Sequence, residues 1–81
     1  MKIRVLFFAS LRNHARVGER EMEVLPPMTV RELFVEQFPD QNLAQRLLPS
    51  VRFAVNCEYV SSETLICSGD EVAFVPPVSG G

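Results

Sequence analysis

Thr29-Val30-Arg31-Glu32-Leu33-Phe34-Val35-Glu36-Gln37-Phe38-Pro39 is the clearest helix signal in the chain, and the reading of the fold starts from it. The Thr29 hydroxyl can accept from the Glu32 amide while the Glu32 carboxylate returns to the Thr29 amide, which is the reciprocal N-terminal cap. Val30, Leu33, Phe34 and Phe38 then fall on one side at helical spacing, and Pro39 stops the run. Pro26-Pro27 breaks the chain just ahead. A helix with one apolar stripe needs a sheet beneath it, so the segments on either side are read for strands.

Lys2 to Ala9 alternates weakly, with Ile3, Val5 and Phe7 on one side and Arg4, Leu6 and Phe8 on the other. Apolar residues on both sides predict a central strand, one face under the helix and the other under a cover still to be named. Ser10 is a candidate cap for a short helix through about Ala15, and Gly18 ends that connection. Glu21 to Leu25 reads as a second strand whose mixed charged and apolar side chains suit an edge. Leu43, Leu47 and Leu48 imply a further short helix ended by Pro49. Val51 to Val55 is a third strand, Asn56-Cys57-Glu58 turns the chain into a short one around Tyr59-Val60, and Ser68-Gly69-Asp70 launches the last, Glu71 to Val75.

A strand pair, a helix that crosses the sheet, then further strands make an α+β roll of the ubiquitin-like, β-grasp type: a mixed sheet with one main crossing helix and short extra helices. In such a roll the first and last strands pair in the centre. Residues 1–75 are then one globular domain and residues 76–81 a flexible tail. At 81 residues the chain is one domain, burying roughly 60–65% of the surface its unfolded form exposes. With 47% hydrophobic and 22% charged residues it should fold without metal or disulfide. The net charge of −2 offers no basic footprint for nucleic acid. The apolar run Val5 to Ala9 is too short for a signal-peptide core and is broken by Ser10 and Arg12, so a cytoplasmic protein with no membrane association is expected. Cys57 and Cys67 are read as small, partly buried reduced thiols, with a disulfide as the alternative.

No catalytic set of side chains emerges. His14 is the sole histidine and sits between Arg12 and Arg16 on a surface helix; the two cysteines lie ten apart without a histidine near them, so no metal site is expected. The reactive group is the end of the chain, Val75-Pro76-Pro77-Val78-Ser79-Gly80-Gly81. Two prolines end the sheet and stiffen the stem. The terminal glycines lack Cβ atoms and can thread a slot closed to other residues. Six residues beyond Val75 reach at most roughly 20 Å, enough to enter another protein's active site. A carboxylate activated as an acyl adenylate is open to attack by sulfur or by an amine.

The ending Gly69-Asp70-Glu71-Val72-Ala73-Phe74-Val75-Pro76-Pro77-Val78-Ser79-Gly80-Gly81, the opening Ile3-Arg4-Val5-Leu6-Phe7-Phe8-Ala9-Ser10-Leu11-Arg12 and Val55-Asn56 between them resemble the small, sulfur-carrying subunit of molybdopterin synthase over the whole chain. Cys57 departs from it in a turn where a polar residue is expected. The resemblance implies that the Gly81 carboxylate is adenylated with ATP by an adenylyltransferase akin to ubiquitin-activating enzymes and converted to a thiocarboxylate (1-thioglycine). The sulfur then goes to a pterin precursor, cyclic pyranopterin monophosphate, inside the large subunit. It implies no bound cofactor, a heterotetramer of two small and two large subunits, and catalytic side chains on the partner alone. Gly80 shares the working end with Gly81. Leu6, Phe8, Tyr59 and Val75 are expected as an apolar docking patch at the root of the tail, with Pro76, Pro77, Val78 and Ser79 as further partner contacts; the alternative is that the patch lies under a loop in the chain's own core. Other functions remain open: sulfur carriage for thiamine synthesis or transfer-RNA thiolation, a ubiquitin-like modifier joined to lysine amines, or a passive β-grasp interaction module.

Overall fold

The computed structural model describes residues 1–76. Nine elements follow one another: β1 (Lys2–Phe7), α1 (Ser10–Ala15), β2 (Glu19–Glu23), α2 (Val30–Glu36), α3 (Gln41–Leu47), a 3-10 turn (Leu48–Ser50), β3 (Arg52–Val55), β4 (Glu58–Val60) and β5 (Glu71–Val75). The strands form one sheet in the order β2-β1-β5-β3-β4. β1 and β5 lie parallel at its centre, in register from Arg4↔Glu71 to Phe7↔Phe74, and the other three contacts are antiparallel. This is the ubiquitin-like roll expected from the sequence, with the charged β2 on an edge.

The reason for this topology is the single apolar face it buries. Ile3, Val5 and Phe7 of β1, Val72 and Phe74 of β5 and Phe53 of β3 all meet Val30, Leu33 and Phe34 of α2. Phe74 is the hub, with its ring 5.0 Å from Phe34 at 81° and 5.7 Å from Phe53 at 89°. Edge-to-face pairs of this kind add about 0.5–1.5 kcal/mol each to the burial itself. The Thr29–Glu32 reciprocal cap forms as expected, Thr29 Oγ1 accepting from the Glu32 amide at 3.1 Å and Glu32 Oε1 accepting from the Thr29 amide at 2.9 Å. Gln37, the one buried polar side chain among the described residues, donates to Leu33 O at 2.9 Å and accepts from Arg20 at 2.8 Å, tying the edge strand to the helix layer.

Several boundaries differ from the sequence reading. β1 stops at Phe7 rather than Ala9, because Ala9 takes a positive φ of 49° and the Leu11 amide bonds back to Phe8 O at 3.0 Å. Ser10 is therefore the first helical residue and not the cap; Ala9 holds the cap position without a side-chain bond. The second strand is displaced to Glu19–Glu23, since its ladder with β1 runs from Leu6↔Glu19 to Lys2↔Glu23, leaving Leu25 84% exposed past the strand's end. Pro49 does not terminate α3 but sits inside the following 3-10 turn, where a missing amide costs nothing. Pro77, Val78, Ser79, Gly80 and Gly81 lie outside the described residues.

Candidate functional site

The side of the sheet away from α2 carries the candidate site. Period-two geometry sends Leu6 and Phe8, Ala73 and Val75, Ala54, and Tyr59 to this side. The ladders line them up: Leu6 opposes Ala73, Ala73 opposes Ala54, and Ala54 opposes Tyr59. Between the large residues at either margin, the two alanines leave a trough of about 240 Å³ lined by Leu6, Phe8, Ala54, Cys57, Tyr59, Glu71, Ala73 and Val75. Phe8 is 46% and Tyr59 68% exposed. All four residues expected in the docking patch thus meet on one open surface, and no loop of the described chain covers them. Ala54 and Ala73, which give the trough its floor, escaped the sequence reading. Their alternation with buried neighbours was visible, and so was the pairing of the first and last strands, but not that β3 lies on the other side of β5.

Two local devices hold the trough's margins. Phe8 donates its amide to Phe74 O at 3.2 Å and then enters the Ala9 turn, so the ring stands on the sheet at the point where β1 leaves it. At the opposite end, Asn56 and Cys57 both have positive φ, 51° and 72°, the geometry of a tight two-residue hairpin between β3 and β4. Asn56 locks that hairpin onto β5: its amide donates to Glu71 O at 2.8 Å, its Oδ1 accepts from the Glu71 amide at 3.0 Å, and its Nδ2 donates to Asp70 Oδ1 at 3.0 Å. The other Asp70 oxygen accepts from the Cys67 amide at 2.7 Å, and Gly69, with φ +85°, completes the turn. Asn56 and the Gly69-Asp70-Glu71 run, quoted above as family-like sequence, are therefore the frame that carries Tyr59 to the trough. Arg4 closes the same end, 3.2 Å from Glu19 and 3.3 Å from Glu71.

β5 lies between β1 and β3, so its last residues emerge from the middle of the sheet, and Val75 at the trough's rim is followed directly by Pro76. Of the remaining sequence candidates, Cys57 lines the trough itself. Cys57 and Cys67 are both free and both exposed, not partly buried as expected, because each sits in a turn. His14 is exposed on α1. Among the described residues no group of three or more His, Cys, Asp or Glu is placed to hold a metal ion, and no helix is long and apolar enough to cross a membrane.

The comparisons with known proteins agree with this geometry. The model of the ThiS family matches residues 5–81. The molybdopterin synthase sulfur carrier subunit of Chlamydomonas reinhardtii is 34% identical over 83 residues, spanning 100% of both chains. Among solved structures, a Pyrococcus furiosus chain assigned to subunit 1 of molybdopterin converting factor is 30% identical with a TM-score of 0.74, covering 96% of this chain and 99% of that one. SAMP1 from Haloferax volcanii is 25% identical with a TM-score of 0.79, covering 100% of both. A family match across nearly the whole chain and a full-length relative at one-third identity leave one conclusion: the chain belongs to the ThiS family, among the molybdopterin synthase sulfur carrier subunits.

Proposed function

We propose that this chain is the sulfur-carrying small subunit of molybdopterin synthase and that its working group is the carboxylate of Gly81. The observation that carries the reading is the place where β5 ends: Val75 forms the rim of an exposed apolar trough, so a partner seated there is in position to receive the residues that follow. In this reading the Gly81 carboxylate attacks the α-phosphate of ATP on an adenylyltransferase, releasing pyrophosphate. Hydrosulfide then displaces AMP to leave the thiocarboxylate. In the large subunit that sulfur passes to cyclic pyranopterin monophosphate, and water cleaves the acyl–sulfur bond so that the discharged chain ends again in a carboxylate. Two sulfurs make one dithiolene, so each pterin needs two charged chains, in keeping with two small and two large subunits. The chain supplies reach, slimness and docking, and the catalytic side chains belong to its partners. The likeness to SAMP1, by name a small archaeal modifier protein, favours a second reading in which the same activated end is joined to a lysine amine.

The test is sulfur transfer to the pterin precursor with the large subunit present, alongside intact mass after incubation with the activating enzyme, a sulfur donor and ATP. Deleting Gly81 shortens the arm by about 3.5 Å, while reacting groups tolerate misplacement of only about 1 Å before rates fall steeply. The shortened chain should fold normally and be inert, Gly80→Val should block activation or transfer without lowering the melting temperature, and Ser79→Ala should matter little. Normal turnover by the chain lacking Gly81 would refute the proposal. A product mass larger by a whole lysine-bearing protein, with no sulfur gained, would favour the modifier reading.

A further inference from the structure

The charges of this chain are sorted along the strands, and the end from which β5 emerges carries arginines that its own carboxylates leave unengaged. None of the four ion pairs among the described residues includes Arg12, Arg16 or Arg52, and all three are exposed. Their positions follow from the ladder. Arg52 is the direct partner of Val75, the last residue of β5, and so stands one strand spacing, about 4.8 Å, from the root of the tail. On the other flank Phe7, the partner of Phe74, takes the carbonyl of Gly18 at 2.9 Å. The Arg12 guanidinium lies over Gly18 so closely that a Cβ there would come within 3.0 Å of its Nε and Nη2. Arg12 thus sits two strand spacings from β5, about 10 Å, on the side away from Arg52. Arg16 shares a hollow with Arg12 and Gly18.

Arg16 also closes α1 in the left-handed region at φ 67°, where glycine or asparagine is the unstrained choice. An arginine held there, and a second one laid over a glycine that gives it room, are arrangements that local stability does not require. Most of the acidic side chains lie elsewhere. Glu71 begins β5 at the far end with Asp70 just before it, Glu21 and Glu23 stand opposite Arg4 and Lys2 in the ladder at the start of β1, and Glu19 is engaged by Arg4. Glu36 belongs to α2, and Asp40, which lines a hollow with Arg16 and Arg20, is turned to its own helix, its Oδ1 accepting from the Asn42 and Leu43 amides at 2.9 and 3.3 Å.

We infer that Arg12, Arg16 and Arg52 form an electrostatic collar around the root of the tail, and that its counterpart is an acidic protein surface rimming the slot that admits Gly80-Gly81. This rests on the proposed function and adds to it the charge of the surface that receives the chain. The trough supplies contact area without direction, whereas a collar of one sign on a chain of net charge −2 orients the encounter, turning the tail end towards an acidic entrance and the carboxylate-rich end away from it.

The test measures association of the chain with the molybdopterin synthase large subunit from the same source by stopped flow, between about 20 and 500 mM salt, a range over which the screening length falls from roughly 20 Å to a few ångström. Arg12→Glu, Arg16→Glu and Arg52→Glu, singly and together, are compared with Lys2→Glu, which matches the charge change of each single variant at the opposite end of β1. The triple variant should associate at least about tenfold more slowly at low salt, converge on wild type at high salt, and change dissociation far less. Lys2→Glu should have little effect, and Arg→Gln variants at the three sites should fall between. Melting temperatures confirm that each variant is folded. Equal low-salt association by wild type and triple variant, or an equal slowing by Lys2→Glu, overturns the collar while leaving the proposed function intact. Failure of the wild-type chain to bind the large subunit at any salt overturns both.

Discussion

Replacing Asn56 by alanine separates what a family-like residue does for the fold from what it does for transfer. Two side-chain bonds are lost, one from the Glu71 amide to Oδ1 and one from Nδ2 to Asp70, each 3.0 Å long. At a net 0.5–1.5 kcal/mol per bond, and nearer the lower bound because water reaches these groups, they contribute about 1–1.5 kcal/mol. Asn56 is also left-handed at φ 51°, and alanine gives up the local bonding that lets asparagine take that conformation, costing about another 1 kcal/mol. The sum, roughly 2 kcal/mol, is a sizeable part of the roughly 4–12 kcal/mol that holds a domain this small together. At about 4–8 °C per kcal/mol it should lower the melting temperature by roughly 8–16 °C. Asn56→Gly keeps the backbone geometry and loses only the bonds, so its loss should be about half as large. Thermal melts followed by circular dichroism provide the assay, with sulfur transfer measured well below both transitions, where the folded fraction of each variant should turn over as wild type does. A melting temperature within about 2 °C of wild type for Asn56→Ala would show that the hairpin does not depend on this clamp, and lost transfer in a folded variant would move Asn56 into the chemistry.

Phe8→Asp places a charge in the trough that the partner is proposed to cover; it should weaken large-subunit binding by about 2–4 kcal/mol in isothermal titration, with a smaller effect on the fold because the ring is 46% exposed in the free chain. Undiminished binding, or an unfolded variant, would remove Phe8 from the interface. Cys57→Gly relieves a side chain at φ 72° and should raise the melting temperature by several degrees, about 0.5–1 kcal/mol. The Cys57→Ser, Cys67→Ser double variant should transfer sulfur within severalfold of wild type, and its failure with the fold intact would relocate the sulfur to a persulfide. Glu32 is held below its ordinary 4.5, first by the Thr29 amide and then by the Thr29 hydroxyl. The folded state thus binds this proton less readily than the unfolded state, so the cap's contribution is present above the unfolded value and is lost as pH falls through the lowered one. Glu32→Gln keeps an acceptor without a titration, and its melting temperature should fall less steeply on acidification below 4.5; an equal slope would show that Glu32 is not the group responsible.

Much of this molecule is written in runs of neighbouring residues. The Thr29–Glu32 cap, the apolar stripe of α2, the alternation of β1 and the turn before β5 each depend on residues a few positions apart, so the elements and the fold class were legible, as was a Gly-Gly end behind two prolines. The four patch residues could be named for the same reason, since alternation says which side of a strand a residue takes. What lay beyond local sequence was lateral. Backbone ladders are chemically alike in every strand, so only the burial of one common apolar face decides that β3 lies beside β5 and that Leu6, Ala73, Ala54 and Tyr59 share a row. That choice made a trough out of two alanines, put Asn56 against Glu71 across 15 residues of chain, moved Ser10 inside a helix and Cys57 to the surface, and set Arg12 and Arg52 on either side of the strand that carries the tail. Residue order determined which groups this chain possesses, and the packing of a single face determined which of those groups stand together.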